Sequence, residues 1–213
     1  MTHKITLYVD ADFVSPYALS VFVALKEKRL DFSIVTVDLG SREQLQSAYR
    51  ARSLTCRVPT LECDGFAVSE SSAAIEYLEE LFPAPQNASV YPREIASRAR
   101  TRQVQAWLRS DLPALRMERP TTVMFFQPNT EPLSDRARAD SLKLFDIASV
   151  LLERNSENLF GAWTIADTEL SLMLNRLVLN GDKVPERLEN YARLQWQRQS
   201  VQAWIAQNRR NKI

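Results

Sequence analysis

The sequence predicts an α/β layer joined to an all-helical half. Three observations carry this reading. Up to Leu81 the pattern runs strand, helix, strand, then a hairpin and a closing helix. Pro83 to Pro92 (Pro-Ala-Pro-Gln-Asn-Ala-Ser-Val-Tyr-Pro) is a proline-rich break. Beyond it, strand-like alternation gives way to helical periodicity.

Ile5 to Val9 (Ile-Thr-Leu-Tyr-Val) alternates as a strand does. Asp10 to Val14 is a loop. Ser15-Pro16 then opens a helix that runs to about Lys28, with proline at the first helical position, where its missing N–H costs nothing. Phe32 to Val37 is a second strand, and Leu45 to Tyr49 a short helix or irregular segment. Pro59 pushes Val58 towards extended geometry. Thr60–Cys63 and Phe66–Val68 are short strands. Asp64-Gly65 between them is a hairpin signal, because both central residues of a type I′ turn need positive φ. Ser69-Glu70-Ser71-Ser72 opens an amphipathic helix bearing Ile75, Leu78 and Leu81.

In the second half, Val104, Leu108, Leu112 and Leu115 share one face of a long helix. Pro120 to Pro132 reads as a loop, whose apolar run Val123–Phe126 must bury something. Leu142, Phe145, Ser149 and Leu152 track another helix, with Ser149 an imperfect core position. Thr164-Ile-Ala-Asp167 resembles a capping box, with Asp in place of the usual Glu or Gln, ahead of Leu170, Leu174 and Leu177. Val201, Trp204 and Ile205 mark a final helix.

At 213 residues the chain suits one or two domains. Its 45% hydrophobic and 25% charged content is that of an ordinary soluble protein. A net charge of +1 gives no reason to expect nucleic acid or an anionic membrane as partner. Arg93 to Arg119 does hold seven arginines, but Glu94, Asp111 and Glu118 interleave, so a solvated helical face with some dimer contacts is expected. No apolar run approaches the roughly 20 residues that span a bilayer. The N-terminus enters a strand pattern without a signal-peptide apolar region, so cytoplasm is expected.

Cys56 and Cys63 are too few for a disulfide framework and lack redox C-x-x-C spacing; they read as reduced thiols. Cys56 precedes the Val-Pro turn, which leaves oxidation or a mixed disulfide there open. The single histidine, His3, lies near a terminus expected to be mobile. It argues against a Ser-His-Asp hydrolase and a His-based zinc site, so no metal is expected. Four scattered glycines leave no phosphate-cradling loop. Activity should therefore rest on a bound small cosubstrate. The helix start at Glu70-Ser71 offers free N–H groups for a carboxylate, and Glu70 a charge for an ammonium: a place for the two ends of an amino acid.

Val58-Pro59 followed by Glu70-Ser71 closely resembles the glutathione-binding half of the cytosolic glutathione transferases, of the serine-type, theta- or zeta-like bacterial kind. The resemblance covers essentially the whole chain, with its specific motifs in the first half. It implies a thioredoxin-like domain over residues 1–83, a linker over 84–92 and a helical domain over 93–213. In the family the proline is cis, the residue before it pairs through its backbone with the cysteinyl part of glutathione, and the Glu-Ser pair holds the γ-glutamyl end. Those roles fall to Pro59, Val58, Glu70 and Ser71. Arg57, where relatives carry Lys or Gln, would hold the glycyl carboxylate, for which its guanidinium fork is suited. Gln44 aligns loosely with a position touching the same end. Cys56 stands where relatives often have Gly, which leaves the aim of Arg57 open. The capping-box helix also fits the family, where such a segment supports folding.

Ser15 matches the serine that donates to the glutathione sulfur, at a helix N-terminus where the dipole favours a thiolate. Tyr8 is its rival, since other branches use a tyrosine near the end of the first strand; Tyr17 is a further one. Serine in place of the cysteine of thiol-transferring relatives favours direct attack by the bound thiolate on an electrophile. The expected enzyme is a glutathione transferase with glutathione as cosubstrate, acting on a small electrophile or peroxide in detoxification or oxidative stress, as a homodimer. Glutathione-dependent peroxide or disulfide reduction at the same site is an alternative. A non-catalytic binding or assembly module, as in the translation elongation factor gamma subunit and the stringent-starvation regulators, is another. Phe13, Trp107, Arg116, Met124, Phe125 and Phe126 are candidates for the electrophile's pocket.

Overall fold

A computed structural model describes residues 3–152 and 156–210. The described residues form two compact units: 3–90 together with 203–210, and 91–152 together with 156–202.

The first unit is built on a four-stranded sheet in the order β2-β1-β3-β4. Strand β1 (Ile5–Asp10) turns Ile5, Leu7 and Val9 into the core and is followed by helix α1 (Pro16–Glu27). The helix is buried at every residue from Ala18 to Leu25, which explains its near-continuous apolar run. Strand β2 (Ser33–Val37) returns parallel to β1, as a crossover through a helix requires. A short 3-10 turn (Glu43–Leu45) and helix α2 (Ser47–Arg50) follow. Strands β3 (Thr60–Cys63) and β4 (Phe66–Ser69) form the expected antiparallel hairpin. Asp64 and Gly65 both take positive φ, 50° and 89°, as the Asp-Gly signal predicts. Helix α3 (Ser71–Leu81) buries Ala74, Ile75 and Leu78.

The end of this unit is fixed by a buried lysine. Lys28 donates to the carbonyls of Phe82 (2.8 Å) and Ala88 (3.0 Å) and pairs with Glu79 at 2.7 Å. The other sides of Glu79 accept from the Ser89 hydroxyl and the Val90 N–H. Asn87 in turn donates to the Lys28 carbonyl. The proline-rich stretch is thus tied down by hydrogen bonds that satisfy both charges, the condition for burying them.

The second unit is helical. It comprises α4 (Ile95–Ser110), α5 (Pro113–Glu118), α6 (Thr122–Phe125), α7 (Asp135–Leu151), α8 (Ile165–Val178) and α9 (Glu186–Trp196). Helix α10 (Gln199–Arg210) ends in the first unit. All residues of α8 are buried, so it is the axis around which the others pack. Its capping box forms: the Asp167 carboxylate accepts from the N–H groups of Thr164 (2.8 Å) and Leu159 (2.7 Å) and from the Tyr191 hydroxyl (3.0 Å).

Three expectations for this half need correction. Val104, Leu108, Leu112 and Leu115 do share one core, but not one helix. Leu112 takes φ 58° and Pro113 restarts the chain as α5, because a residue before proline is barred from the helical region. On α7 the buried face is Ala137, Ser141, Leu144 and Ala148; Leu142 and Ser149 face solvent. The 120–132 segment contains a helical turn, α6, that buries Val123.

The arginines are not simply a solvated face either. Arg109 pairs with Glu169 at 2.6 Å and Arg119 with Asp182 at 2.6 Å, while Arg98 and Arg102 lie over the Tyr91 ring.

Candidate active site

The sheet topology gathers the sequence-predicted residues at one end of the first unit. Strand β1 ends at Asp10 and leads to Ser15. Its antiparallel neighbour β3 begins at Thr60, just after Val58-Pro59, and pairs there with Tyr8. Strand β4 ends at Ser69, paired with Thr60, and leads to Glu70-Ser71. On the other side β2 ends at Val37, whose carbonyl accepts from Ala11 N–H at 3.0 Å, and leads to the turn holding Gln44. The four segments that carry candidate residues therefore leave or enter the sheet at the same end.

Ser15 is the N-cap of α1. Its hydroxyl accepts from Ala18 N–H at 3.2 Å, and it is partly exposed. Its own N–H donates to Asp10 Oδ1 at 3.0 Å, and Val14 N–H to Asp10 Oδ2 at 2.7 Å. Asp10 is buried, and this burial pushes its carboxyl above the usual range, against the pull of the N–H groups it accepts. Between them, Phe13 sits at φ 53°. Its carbonyl accepts from the Trp204 indole at 2.9 Å, and the Asp12 carbonyl accepts from Asn208 at 2.6 Å. Trp204 also packs edge-on against Phe13 and Phe22. The loop that presents Ser15 is held from below by Asp10 and from the side by the end of α10.

The Val58–Pro59 bond is cis. The turn before it is wired through Arg57. Its carbonyl accepts from the Tyr49 hydroxyl at 2.8 Å, and its N–H donates to the Ser53 hydroxyl at 3.3 Å. Cys56 takes φ 54°, a left-handed geometry that glycine reaches most easily. The Arg57 side chain is exposed. Glu70, also exposed, takes φ 73° as the residue capping α3, and Ser71 is buried. Four of the seven non-glycine residues with positive φ among the described residues, namely Phe13, Arg42, Cys56 and Glu70, thus lie on the segments at this end of the sheet, as strained backbone does at functional sites. Gln44 Oε1 is buried without a hydrogen-bond partner.

Tyr8 is placed differently. Its hydroxyl donates to Glu62 at 3.2 Å and its ring lies edge-on to Tyr49. Burial first, then the Glu62 charge, raises its pKa. Tyr17 is partly exposed beside Pro16. Of the pocket candidates, Phe13 is buried against Trp204. Trp107 donates to Asp111, Arg116 to the Arg109 carbonyl, and Phe125 lies on Trp196. Met124 is half-buried and Phe126 about half exposed.

Comparison with known proteins places this architecture. A family profile described as glutathione S-transferase, C-terminal domain, matches residues 94–210. The chain belongs to the glutathione S-transferase family. The family's N-terminal domain profile matches residues 14–81. Human glutathione S-transferase theta-1 is 30% identical over 152 residues, 69% of this chain and 60% of that protein. A probable maleylacetoacetate isomerase of Caenorhabditis elegans is 35% identical over 95 residues, 45% of this chain and 42% of that protein. The rat and mouse theta-1 matches likewise cover 42% of those proteins, so the alignments span about half the length of such relatives. A glutathione transferase homolog from Burkholderia gl BGR1, solved with bound glutathione, is 46% identical, covers 97% of this chain and 98% of its own, and superposes with a TM-score of 0.80.

Sequence reasoning missed Asp10, Tyr49, Trp204 and Asn208. An aspartate at a strand end, shortly before a Ser-Pro helix start, was a legible signal for the first. Nothing local in the sequence ties Trp204 to Phe13, 191 residues earlier.

Proposed function

We propose that this chain is a glutathione transferase in which Ser15 activates the thiol of bound glutathione. The observation that carries the reading is the convergence of Ser15, Val58-Pro59 and Glu70-Ser71 at one end of the sheet. Similarity to a homolog solved with glutathione supports it. The fit is chemical. The first turn of α3 presents N–H groups to the γ-glutamyl carboxylate, and the Glu70 charge suits its ammonium. Val58 offers backbone groups to the cysteinyl portion. Arg57 and Gln44 lie on segments that reach the glycyl end, and the unpartnered Gln44 Oε1 is free to accept an amide N–H.

A free thiol titrates near about 8.5, so at neutral pH most of it is the poor nucleophile. When the Ser15 hydroxyl turns from Ala18 N–H to the sulfur, one hydrogen bond and the positive end of α1 favour the thiolate. The thiol proton goes to solvent. The thiolate then attacks an electrophilic carbon, whose leaving group departs with its electron pair. The same thiolate attacks a peroxide or disulfide in the alternative reading. The engagement of the Tyr8 hydroxyl by Glu62 supports serine over tyrosine. The probable maleylacetoacetate isomerase among the relatives favours a second reading, isomerisation of a small molecule at the same site.

The working form is proposed to be a homodimer; Leu54 (94% exposed) and Phe66 (55%) in the first unit are apolar groups such a contact would cover. No helix among the described residues is long and apolar enough to cross a membrane.

Calorimetric titration with reduced glutathione tests the proposal. Saturable binding, weakened in Ser71→Ala, is expected. Absence of binding at millimolar glutathione would leave the assembly-module reading. Ser15→Ala should raise the thiol pKa of bound glutathione and cut turnover, while Tyr8→Phe should alter chiefly stability. Unchanged turnover in Ser15→Ala would refute the serine role.

A further inference from the structure

Away from the candidate active site, three donor groups of different chemistry meet where the β3–β4 turn approaches the start of β1. They are His3 Nδ1, Cys63 Sγ and an Asp64 carboxylate oxygen, all within 4.8 Å of one another. We propose that His3, Cys63 and Asp64 form a site for a borderline-soft divalent cation such as Zn²⁺.

The composition of the trio is the first argument. Imidazole, thiolate and carboxylate are the three donor types zinc takes, at about 2.0–2.3 Å, and three protein donors leave a fourth position for water. A single histidine excludes a multi-histidine site but not this mixed one.

Geometry is the second. Ligand atoms around one tetrahedral ion sit roughly 3–4 Å apart. His3 Nδ1 and Asp64 Oδ2 are already at 2.5 Å, so the ion would replace their hydrogen bond and spread them slightly. The remaining adjustment falls on His3 and Asp64, whose side chains are 36% and 51% exposed.

The surroundings are the third argument. Cys63 is buried and anchored in strand β3, where it pairs with Phe66 across the hairpin and with Ile5 of β1, so its sulfur is held in a fixed position. Asp64 Oδ1 is held by Lys4 N–H at 2.8 Å, and Asp64 N–H donates back to the Lys4 carbonyl at 3.1 Å, which fixes the turn against β1. The His3 ring is steadied by an edge-on contact with Phe82 at 5.1 Å. His3, expected at a mobile terminus, is therefore docked. Binding one ion would release the Cys63 thiol proton to solvent and leave the sulfur as thiolate.

The test is titration of the full chain, free of glutathione, with Co²⁺ as a spectroscopic stand-in, followed by competition with Zn²⁺. A near-ultraviolet sulfur-to-cobalt charge-transfer band is expected, saturating at one ion per chain, kept in Cys56→Ser and lost in Cys63→Ser. His3→Ala, at a partly exposed side chain and with the fold checked by thermal melting, should weaken binding by more than the roughly 10- to 100-fold typical of outer-shell changes. Asp64→Asn should do the same. Absence of the band, its survival in Cys63→Ser, or unchanged affinity in His3→Ala would overturn the site.

Discussion

Replacing Asp10 by Asn isolates what holds Ser15 in place. In the parent, one buried carboxylate accepts the N–H groups of Val14 and Ser15, at 2.7 and 3.0 Å. The amide keeps one acceptor and turns an NH₂ towards the other N–H. One donor loses its bond, and a buried group left unpaired costs about 1–3 kcal/mol. That is a minor part of the roughly 5–15 kcal/mol of a typical fold, so the variant should remain folded with a lowered melting temperature. The kinetic effect should be larger in proportion. A shift of the Ser15 hydroxyl by about 1 Å is enough to lose on the order of 100-fold in rate.

The assay pairs thermal unfolding with kcat, KM and the pH titration of bound glutathione thiol. The expected pattern is a raised thiol pKa and a fall in kcat, with KM for glutathione little changed. The pH profile adds a sign. Burial raises the Asp10 pKa above 3.8 in the folded chain, so the folded state holds its proton more readily than the unfolded one. The stability this contributes is full below 3.8 and is lost as pH rises through the folded value. Loop geometry runs the other way: on acidification Asp10 protonates earlier than an ordinary carboxylate and loosens one bond, giving an acid limb to activity that Asp10→Asn should lack. A folded Asp10→Asn enzyme with the parent's thiol pKa, kcat and acid limb would refute the positioning role.

Three other perturbations follow from the same structure. Asn208→Ala frees the Asp12 carbonyl and should lower kcat several-fold with a stability loss of about 1 kcal/mol, checked by kinetics and melting. Asp167→Ala leaves the Thr164 and Leu159 N–H groups and the Thr164 hydroxyl without their carboxylate acceptor, while the Tyr191 hydroxyl keeps only the residue's backbone carbonyl; chemical denaturation should show a loss on the order of 3 kcal/mol. Asp111 is pulled from 3.8 to about 2, first by its hydrogen bond with Lys143 and then by Leu112 N–H. Its contribution is present above 3.8 and lost as pH falls through about 2, so melting curves of Asp111→Asn should be flatter than the parent's across that window.

What could be read from sequence was local. The Asp-Gly hairpin, the Ser-Pro helix start and the Thr164–Asp167 capping box each depend on residues a few positions apart, and each formed. Leu112 shows a conflict between two local rules: helical periodicity ran through it, while Pro113 forbade the helix there. Periodicity named the correct core and the wrong helix. On α7 two of the expected positions, Phe145 and Leu152, do meet the core, while Leu142 and Ser149 miss it by one step, because Ala137, Ser141 and Ala148 are small and pattern analysis favours large side chains such as Leu142. The candidate site was legible as motifs, since its backbone roles sit beside prolines and helix starts. Its supports were not, because Trp204 and Asn208 reach it only through the folded chain.

That long-range support has a consequence in time. Phe13 and Trp204 are 191 residues apart, so the loop presenting Ser15 lacks its lateral brace until the ribosome has passed the final helix. At synthesis rates of about 5–20 residues per second, that interval is roughly 10–40 seconds. The sheet, the Asp-Gly hairpin and the Lys28–Glu79 pair can all form earlier, from residues already made. The loop that carries Ser15 is among the last parts of the first unit to acquire its final neighbours, and a nascent chain halted before Trp204 would carry Ser15 on a loop without them.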